Sequence, residues 1–423
     1  SGSVWCFNFA TAADPKSEKP RTRVASPTAT ELNVFPPRID LAFGSDSLRI
    51  GVQVVNSDGS TQDVTQEVAW QESAGLTMDE ASVSLASVSL ASGAAAKSGV
   101  MRGTWRNHLI EIDYQIGDGG SQRQLSFRND ILPVLTKTGC NSGKCHGAAS
   151  GKDGFRLSLY GFDPAGDYFR ITRELSGRRI NLASPENCLL VNKVIGEVPH
   201  TGGNPIEVGD PNYSKLVRWI ANGAEADVAT TPVPIGIDVF PRRAVLSQPG
   251  EFQQMIVMAR YEDGSARDVT EQAVFITNND AAATAQGYGL MQANGPGTAF
   301  ILARFDQYTS GTDVVVRSGE AYPGLEFPAN NYIDELTAAR WRDLHVLPSE
   351  VTSDEVFLRR VYLDIVGLLP TRHQRAAFLL DKSPTKRDEL VDELVGSKDF
   401  LDLWTLQLAE LLQIRRANGL SLK

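Results

Sequence analysis

The stretch Asp58-Gly59-Ser60-Thr61-Gln62-Asp63-Val64-Thr65 returns 205 residues later as Asp263-Gly264-Ser265-Ala266-Arg267-Asp268-Val269-Thr270. The same offset carries Val34-Phe35-Pro36-Pro37-Arg38 onto Val239-Phe240-Pro241-Arg242-Arg243, and Trp70 onto Phe275. A repeat at constant offset signals a duplicated structural unit. In the first copy Leu48, Ile50, Val52 and Val54 alternate toward Asp58-Gly59; in the second, Met255, Val257 and Ala259 run toward Asp263-Gly264. Alternation that ends in Asp-Gly is a hairpin signal. Two small β-sandwiches are therefore expected, over 31–118 and 233–318. Asp58 and Asp263 suit a turn that wants a short carboxylate, with a calcium-ligand role as the alternative. Residues 81–93, two copies of Ala-Ser-Val-Ser-Leu, read as a strand with a Ser-rich edge or loop.

Between the copies, over 119–232, the apolar period changes from two to about 3.6, the helical value. Phe127, Ile131 and Leu135 mark a helix that ends toward Cys140. A second is expected from Ser184, with Pro185 in its first turn and Leu189, Leu190 and Val194 displayed; a third carries Tyr213, Leu216, Val217 and Ile220 and stops at Gly223. Within this helical domain lies Cys140-Asn141-Ser142-Gly143-Lys144-Cys145-His146-Gly147. Two thiols followed directly by a histidine are the arrangement that holds a haem through thioethers and one axial imidazole. The thiols here are four residues apart instead of two, and Gly143 is expected to give the longer loop its flexibility. A disulfide between the two cysteines, or a zinc site with His146 and His200, uses the same residues and stays open.

Other residues follow from the haem reading. All five methionines (Met78, Met101, Met255, Met258 and Met291) lie outside 119–232, so His200 is expected as the second iron ligand, giving bis-histidine ligation; Lys193 and an exposed loop histidine are the alternatives. Arg178 and Arg179, after Gly177, are candidate partners for haem propionates or a solvated charge pair. Phe155, Leu157 and Trp219 are expected near the macrocycle, and Cys188 as a small buried apolar residue.

After a Pro- and Gly-containing linker over 319–330, helices dominate residues 331–423. Asn331 caps one reaching Leu344, another runs from Thr352 to Gly367, and Thr371-Arg372-His373-Gln374 fits a capping box. Two more are expected near Lys386–Val395 and Asp399–Arg416, completing a helical bundle. Arg359, Arg360 and Asp364 are read as intradomain ion pairs or, alternatively, as a site.

The chain has 423 residues, enough for several domains, and its formal charge of −10 excludes a dominant nucleic-acid footprint. It holds no apolar run long enough for a transmembrane helix. Residues 1–30 read as the tail of an export signal, with Ala10-Thr11-Ala12 as a small-x-small site, and a hydrophilic linker. Four cysteines do not make a disulfide scaffold.

Several blocks carry a resemblance. Cys145-His146-Gly147, Gly154-Phe155-Arg156-Leu157-Ser158-Leu159, Gly161-Phe162-Asp163, Asp167-Tyr168, Gly177-Arg178-Arg179, His200-Thr201-Gly202-Gly203 and Tyr213 through Ile220 together resemble the cytochrome-like domain of large exported planctomycete proteins. Phe357-Leu358-Arg359-Arg360-Val361-Tyr362-Leu363-Asp364-Ile365-Val366-Gly367-Leu368-Leu369-Pro370-Thr371 resembles the opening of a helical family of unknown function that accompanies it. The sandwiches resemble bacterial immunoglobulin-like domains. The resemblance implies an exported multi-domain protein, in the periplasm or at the cell surface, carrying one covalent haem c. Electron transfer with a redox partner, or with a catalytic domain beyond Lys423, is the expected role. A haem-containing oxidoreductase subunit, and a surface structural or glycan- or protein-binding module with a degenerate haem domain, are the alternatives.

Overall fold

The computed structural model describes residues 28–414, apart from 44–45, 83–84, 92–93, 96, 118–122, 204 and 321. The expected export remnant, Cys6 and the end of the last helix lie outside the described residues. The chain divides into two compact units between Val346 and Leu347.

Both repeat copies are sandwich-like. In the first, β1 (Ala29–Phe35), β3 (Ser47–Asn56), β7 (Leu85–Leu90) and β6 (Leu76–Ser82) form one sheet in that order, with β4 (Thr61–Asp63) also paired to β3. The facing sheet runs β2 (Arg38–Leu41), β9 (His108–Ile116), β8 (Lys97–Trp105) and β5 (Ala69–Trp70). The second copy repeats the plan. Its three sheets are β10 (Pro234–Phe240), β13 (Ile256–Tyr261) and β14 (Ala266–Asp268); β11 (Arg243–Leu246), β19 (Tyr308–Val316), β18 (Gly297–Phe305) and β15 (Val274–Thr277); and β12 (Phe252–Gln254), β17 (Leu290–Ala293) and β16 (Ala283–Ala285).

The repeated residues act as turn chemistry. Asp58 Oδ1 accepts from the Ser60 amide at 2.9 Å and Asp263 Oδ1 from the Ser265 amide at 3.0 Å. Val52 donates to Thr65 Oγ1 at 2.9 Å and Val257 to Thr270 Oγ1 at 2.8 Å, so each threonine ties its loop to its own sheet. These bonds fill the role expected of a turn carboxylate.

The two copies share a core. Ile256 and Met258 of the second copy are buried in the core of the first. The Asp63 carboxylate accepts from the Gln254 amide at 2.8 Å, and Asp268 accepts from the Arg49 amide at 2.8 Å. Gln254 and Arg49 are themselves related by the 205-residue offset, so the contact is reciprocal. Phe35 and its counterpart Phe240 stack on each other with centroids 5.3 Å apart. Reciprocal contacts with self-pairing at the centre are the signature of a twofold interface. The duplication has therefore produced an internal dimer.

Charge locks it. Arg49 Nη1 lies 3.2 Å from Asp268, whose side chain is 2% exposed, and Nη2 lies 2.6 Å from Glu271. Burial works against the Arg49 charge, but the two carboxylates outweigh it and hold its pKa above the ordinary value.

The helical module is inserted between the copies. It enters and leaves at one place, where the Asp227 carboxylate accepts from the amides of Phe127 and Arg128 at 2.9 and 2.8 Å. A π-helical turn at Phe127–Ile131 leads into α1 (Leu132–Lys137), followed by α2 (Pro164–Thr172), α3 (Leu189–Val194) and α4 (Pro211–Ala221). Their core is Phe127, Ile131, Leu135, Leu157, Val191, Leu216, Trp219 and Ile220, among others. The helix expected from Ser184 instead begins as a 3-10 turn at Pro185–Asn187 and restarts at Leu189, because Cys188 is extended (ψ 152°) and buried. The module is bolted to the second copy: Arg128 pairs with Asp306 at 3.0 Å, and the Lys137 ammonium donates to the Glu271 and Gly287 carbonyls.

Asn331 caps α5 (Tyr332–Leu344), which lies within the first unit, held by Arg340–Asp313 and Arg243–Asp343 pairs. The second unit holds α6 (Asp354–Val366), α7 (Arg372–Leu380), α8 (Lys386–Val395) and α9 (Lys398–Leu411) around Leu358, Tyr362, Phe378, Leu390 and Leu394. The Thr371–Gln374 capping box forms as read from sequence. The ion pairs join Asp354 to Lys386 and Arg387 and Glu355 to Arg375, whereas Arg359, Arg360 and Asp364 are exposed. Among the described residues no helix is long and apolar enough to cross a membrane.

Removing one partner of a buried pair leaves the other uncompensated. Arg49→Met is therefore expected to lower stability by about 3 kcal/mol in urea unfolding. A change within about 0.5 kcal/mol, typical of surface substitutions, would show that the lock does not hold the copies together.

Candidate functional site

The residues singled out at Cys140–Gly147 form a closed loop at the end of α1. Gly139 (φ 76°) turns the chain out of the helix, and the Cys140 amide donates back to Leu135 at 2.9 Å. The amides of Cys145 and Gly147 both donate to the Ser142 carbonyl at 3.0 Å, and that of His146 to the Cys140 carbonyl at 3.0 Å. The extra residues are thus folded into a turn that returns the second cysteine toward the first. Asn141 is fully buried; its amide side chain donates to Thr136 Oγ1 at 2.9 Å and its carbonyl accepts from Tyr160.

Gly143 is not the critical glycine. A Cβ there would meet Leu159 at an ordinary 3.8 Å, whereas a Cβ on Gly147 would stand 2.0 Å from the Asn141 carbonyl oxygen. Close backbone approach, which only glycine permits, is needed at 147.

His146 is oriented by backbone. Its Nδ1 lies 2.9 Å from the Phe155 carbonyl, and its own carbonyl accepts from the Leu157 amide at 2.8 Å. A carbonyl only accepts, so Nδ1 carries the proton and Nε2 keeps a free lone pair. Phe155 packs on the imidazole with centroids 4.7 Å apart.

Cys140, Cys145, His146 and His200 line one cavity of about 330 Å³, within the range of ligand pockets. Its apolar wall is Leu135, Phe155, Leu157, Leu189, Leu190 and Val194; Lys152, Arg178, Arg179 and Lys193 add cationic groups. Cys140, Cys145 and Cys188 are free thiols. Burial pushes the Cys140 thiol pKa up, and a contact of 3.2 Å with Thr138 Oγ1 opposes that.

His200 stands in the loop after α3, where Lys193 Nζ donates to the Pro199 carbonyl at 3.1 Å. Its Nδ1 is buried without a hydrogen-bond partner. Nε2 lies against Gly202, where a Cβ would come within 2.5 Å. Burial lowers its pKa, helped by the charges of Lys193, His146 and Lys152, and so favours the neutral, ligating imidazole.

Two residues read from sequence are placed differently. Trp219 does not line the cavity; it is 1% exposed in the module core, donates Nε1 to the Glu225 carbonyl at 3.1 Å and packs on Phe127. Arg179 is not a solvated charge: it is buried, with Nη1 donating to the carbonyls of Arg170 and Glu174 at 2.8 and 2.7 Å. Arg178 is exposed at the cavity. Sequence reasoning missed Leu135, Leu190 and Val194 as cavity wall, although the four-residue spacing of the last two puts them on one helical face.

The residues fit a covalent haem. Two thiols, an imidazole with a free Nε2, an apolar wall and a second histidine with an orphaned nitrogen share one cavity. Among the described residues no three of His, Cys, Asp and Glu converge as a metal cage. A porphyrin-bound iron needs no such cage, because the macrocycle supplies four ligands.

Residues 332–423 match the family described as PSCyt2, protein of unknown function (DUF1549). No curated protein matches. Solved structures of surface layer protein SbsC are similar at low identity. Its domains 4–9 match at 8% identity, over 69% of this chain and 32% of that one, with a TM-score of 0.26. Its domains 5–6 match at 9% identity, over 69% and 99% of the two chains, with a TM-score of 0.25. This chain thus spans about a third of the first of these relatives.

Proposed function

We propose that the helical domain read over 119–232 is a c-type cytochrome module and that the protein is an exported electron carrier. The observation that carries this reading is the His146–Phe155 contact, which fixes the imidazole tautomer that leaves Nε2 free beside two unpaired thiols. Cys140 and Cys145 are the thioether anchors, His146 the proximal ligand and His200 the second ligand. When bound, the haem supplies one-electron chemistry. Around it, Phe155, Leu157, Leu189 and Leu190 exclude water, while exposed Arg178 is the free donor suited to a propionate. The name of the family matched by residues 332–423 points to a cytochrome-related lineage and agrees with this reading. Export follows from thioether attachment, which bacteria complete outside the cytoplasm. The sandwiches, read as immunoglobulin-like, act as the rigid mount of the haem module, and electrons pass to and from a separate redox protein.

The full chain produced with haem-attachment machinery should show narrow reduced-minus-oxidised bands that ignore carbon monoxide, and haem that survives denaturation. Cys145→Ser should remove one covalent link. His200→Ala should open the iron and give a carbon monoxide shift; an unchanged low-spin spectrum would reject His200 as ligand. A full chain that takes up no haem would overturn the reading and favour a purely structural surface role.

The loop geometry makes a paired prediction. Gly147→Ala should destabilise the module by about 2 kcal/mol through overpacking, while Gly143→Ala stays within about 0.5 kcal/mol. Thermal melts of the two variants compare them directly, and equal melting points would mean that the close approach at Gly147 is not needed.

A further inference from the structure

Arg179 combines three features that neighbouring Arg178 lacks. It is 6% exposed, although it belongs to a pair of adjacent arginines that sequence gives no means to tell apart. Its guanidinium lies over the Phe155 ring, 4.2 Å from the centroid, and the same ring packs on His146. Its Nη1 donates to two backbone carbonyls, and its Nη2 stands 3.2 Å from the Glu174 carboxylate as an ion pair. The Arg179 carbonyl in turn accepts from Leu190, whose side chain lines the cavity.

From this geometry we infer that Arg179 is a positioning residue that sets the reduction potential of the site through its fixed charge and its hold on Phe155. The inference rests on the haem reading above. An arginine does not release its proton in a protein, so burial at the cavity wall places a permanent cation one aromatic ring away from the proximal histidine. Oxidation of the iron adds one positive charge to the site. A nearby fixed cation in a poorly screened environment therefore disfavours the oxidised form and raises the potential. Glu174 pulls the other way: its carboxylate, 42% exposed, offsets part of that charge. The two carbonyl bonds keep the guanidinium from swinging out to solvent, where water would screen it.

The sign of each effect separates charge tuning from simple scaffolding. Equilibrium redox titration of the haem-loaded full chain is expected to show a downward shift in potential for Arg179→Met and an upward shift for Glu174→Gln. Arg179→Lys should stay near the parent. Glu174 lies at the surface, so E174Q reports the charge effect even where R179M fails to accumulate. Shifts of the same sign in R179M and E174Q, or no shift in E174Q, would overturn the inference while leaving the haem reading intact. A parent protein without haem would overturn both.

Discussion

The Arg49–Asp268 contact is the constraint on which the first unit depends. Asp268 divides its carboxylate between two tasks: Oδ1 closes the local turn onto the Thr270 amide at 2.9 Å, and Oδ2 receives both the amide and the guanidinium of Arg49. Asp63 divides its own in the same way, Oδ1 serving Thr65 and Oδ2 reaching Gln254. A residue that makes the turn in each copy thus also clamps the copies together. Because burial makes an unpaired carboxylate expensive, this double use fixes the register of the interface as well as its existence.

From that clamp the placement of the cavity follows. The paired sandwiches hold the two ends of the helical insert at a single point near Asp227, and Lys137 pins the end of α1 to the second copy just before the cysteine loop. The loop then hangs from a fixed helix end, with its hydrogen bonds closed internally around Ser142 and Asn141. Rigid support of this kind holds the side chains of the cavity, His146 among them, in one geometry. The contact between the two sandwiches could not be read in sequence, because the interface is built from residues such as Arg49, Gln53 and Gln254 that carry no local signature.

What could be read in sequence was local. Asp-Gly turns and Asn331, Thr371 and Gly367 caps are written in a few adjacent residues, and the matching elements formed where expected. The Cys145-His146 adjacency was legible for the same reason. The orientation of His146 was not, because its partner is the backbone carbonyl of Phe155, and any residue has a carbonyl. Nor could charge alone tell Arg178 from Arg179; only the fold of the segment after α2 decides which one turns inward. Cys188 was read correctly as buried, yet its extended backbone, which interrupts the helix around it, follows from tertiary packing that no propensity records.

The shared core has a consequence for the order in which the chain can fold. Ile256 and Met258 complete the hydrophobic interior of a sandwich whose own strands end at Ile116. As the chain emerges from its amino end, that sandwich has an open flank until the entire helical insert has followed and the second copy has begun to pair. Contacts across such sequence separation close late and slowly. Until then the apolar side of β3, with Leu48, Ile50, Val52 and Val54, lacks the two side chains that complete its cover.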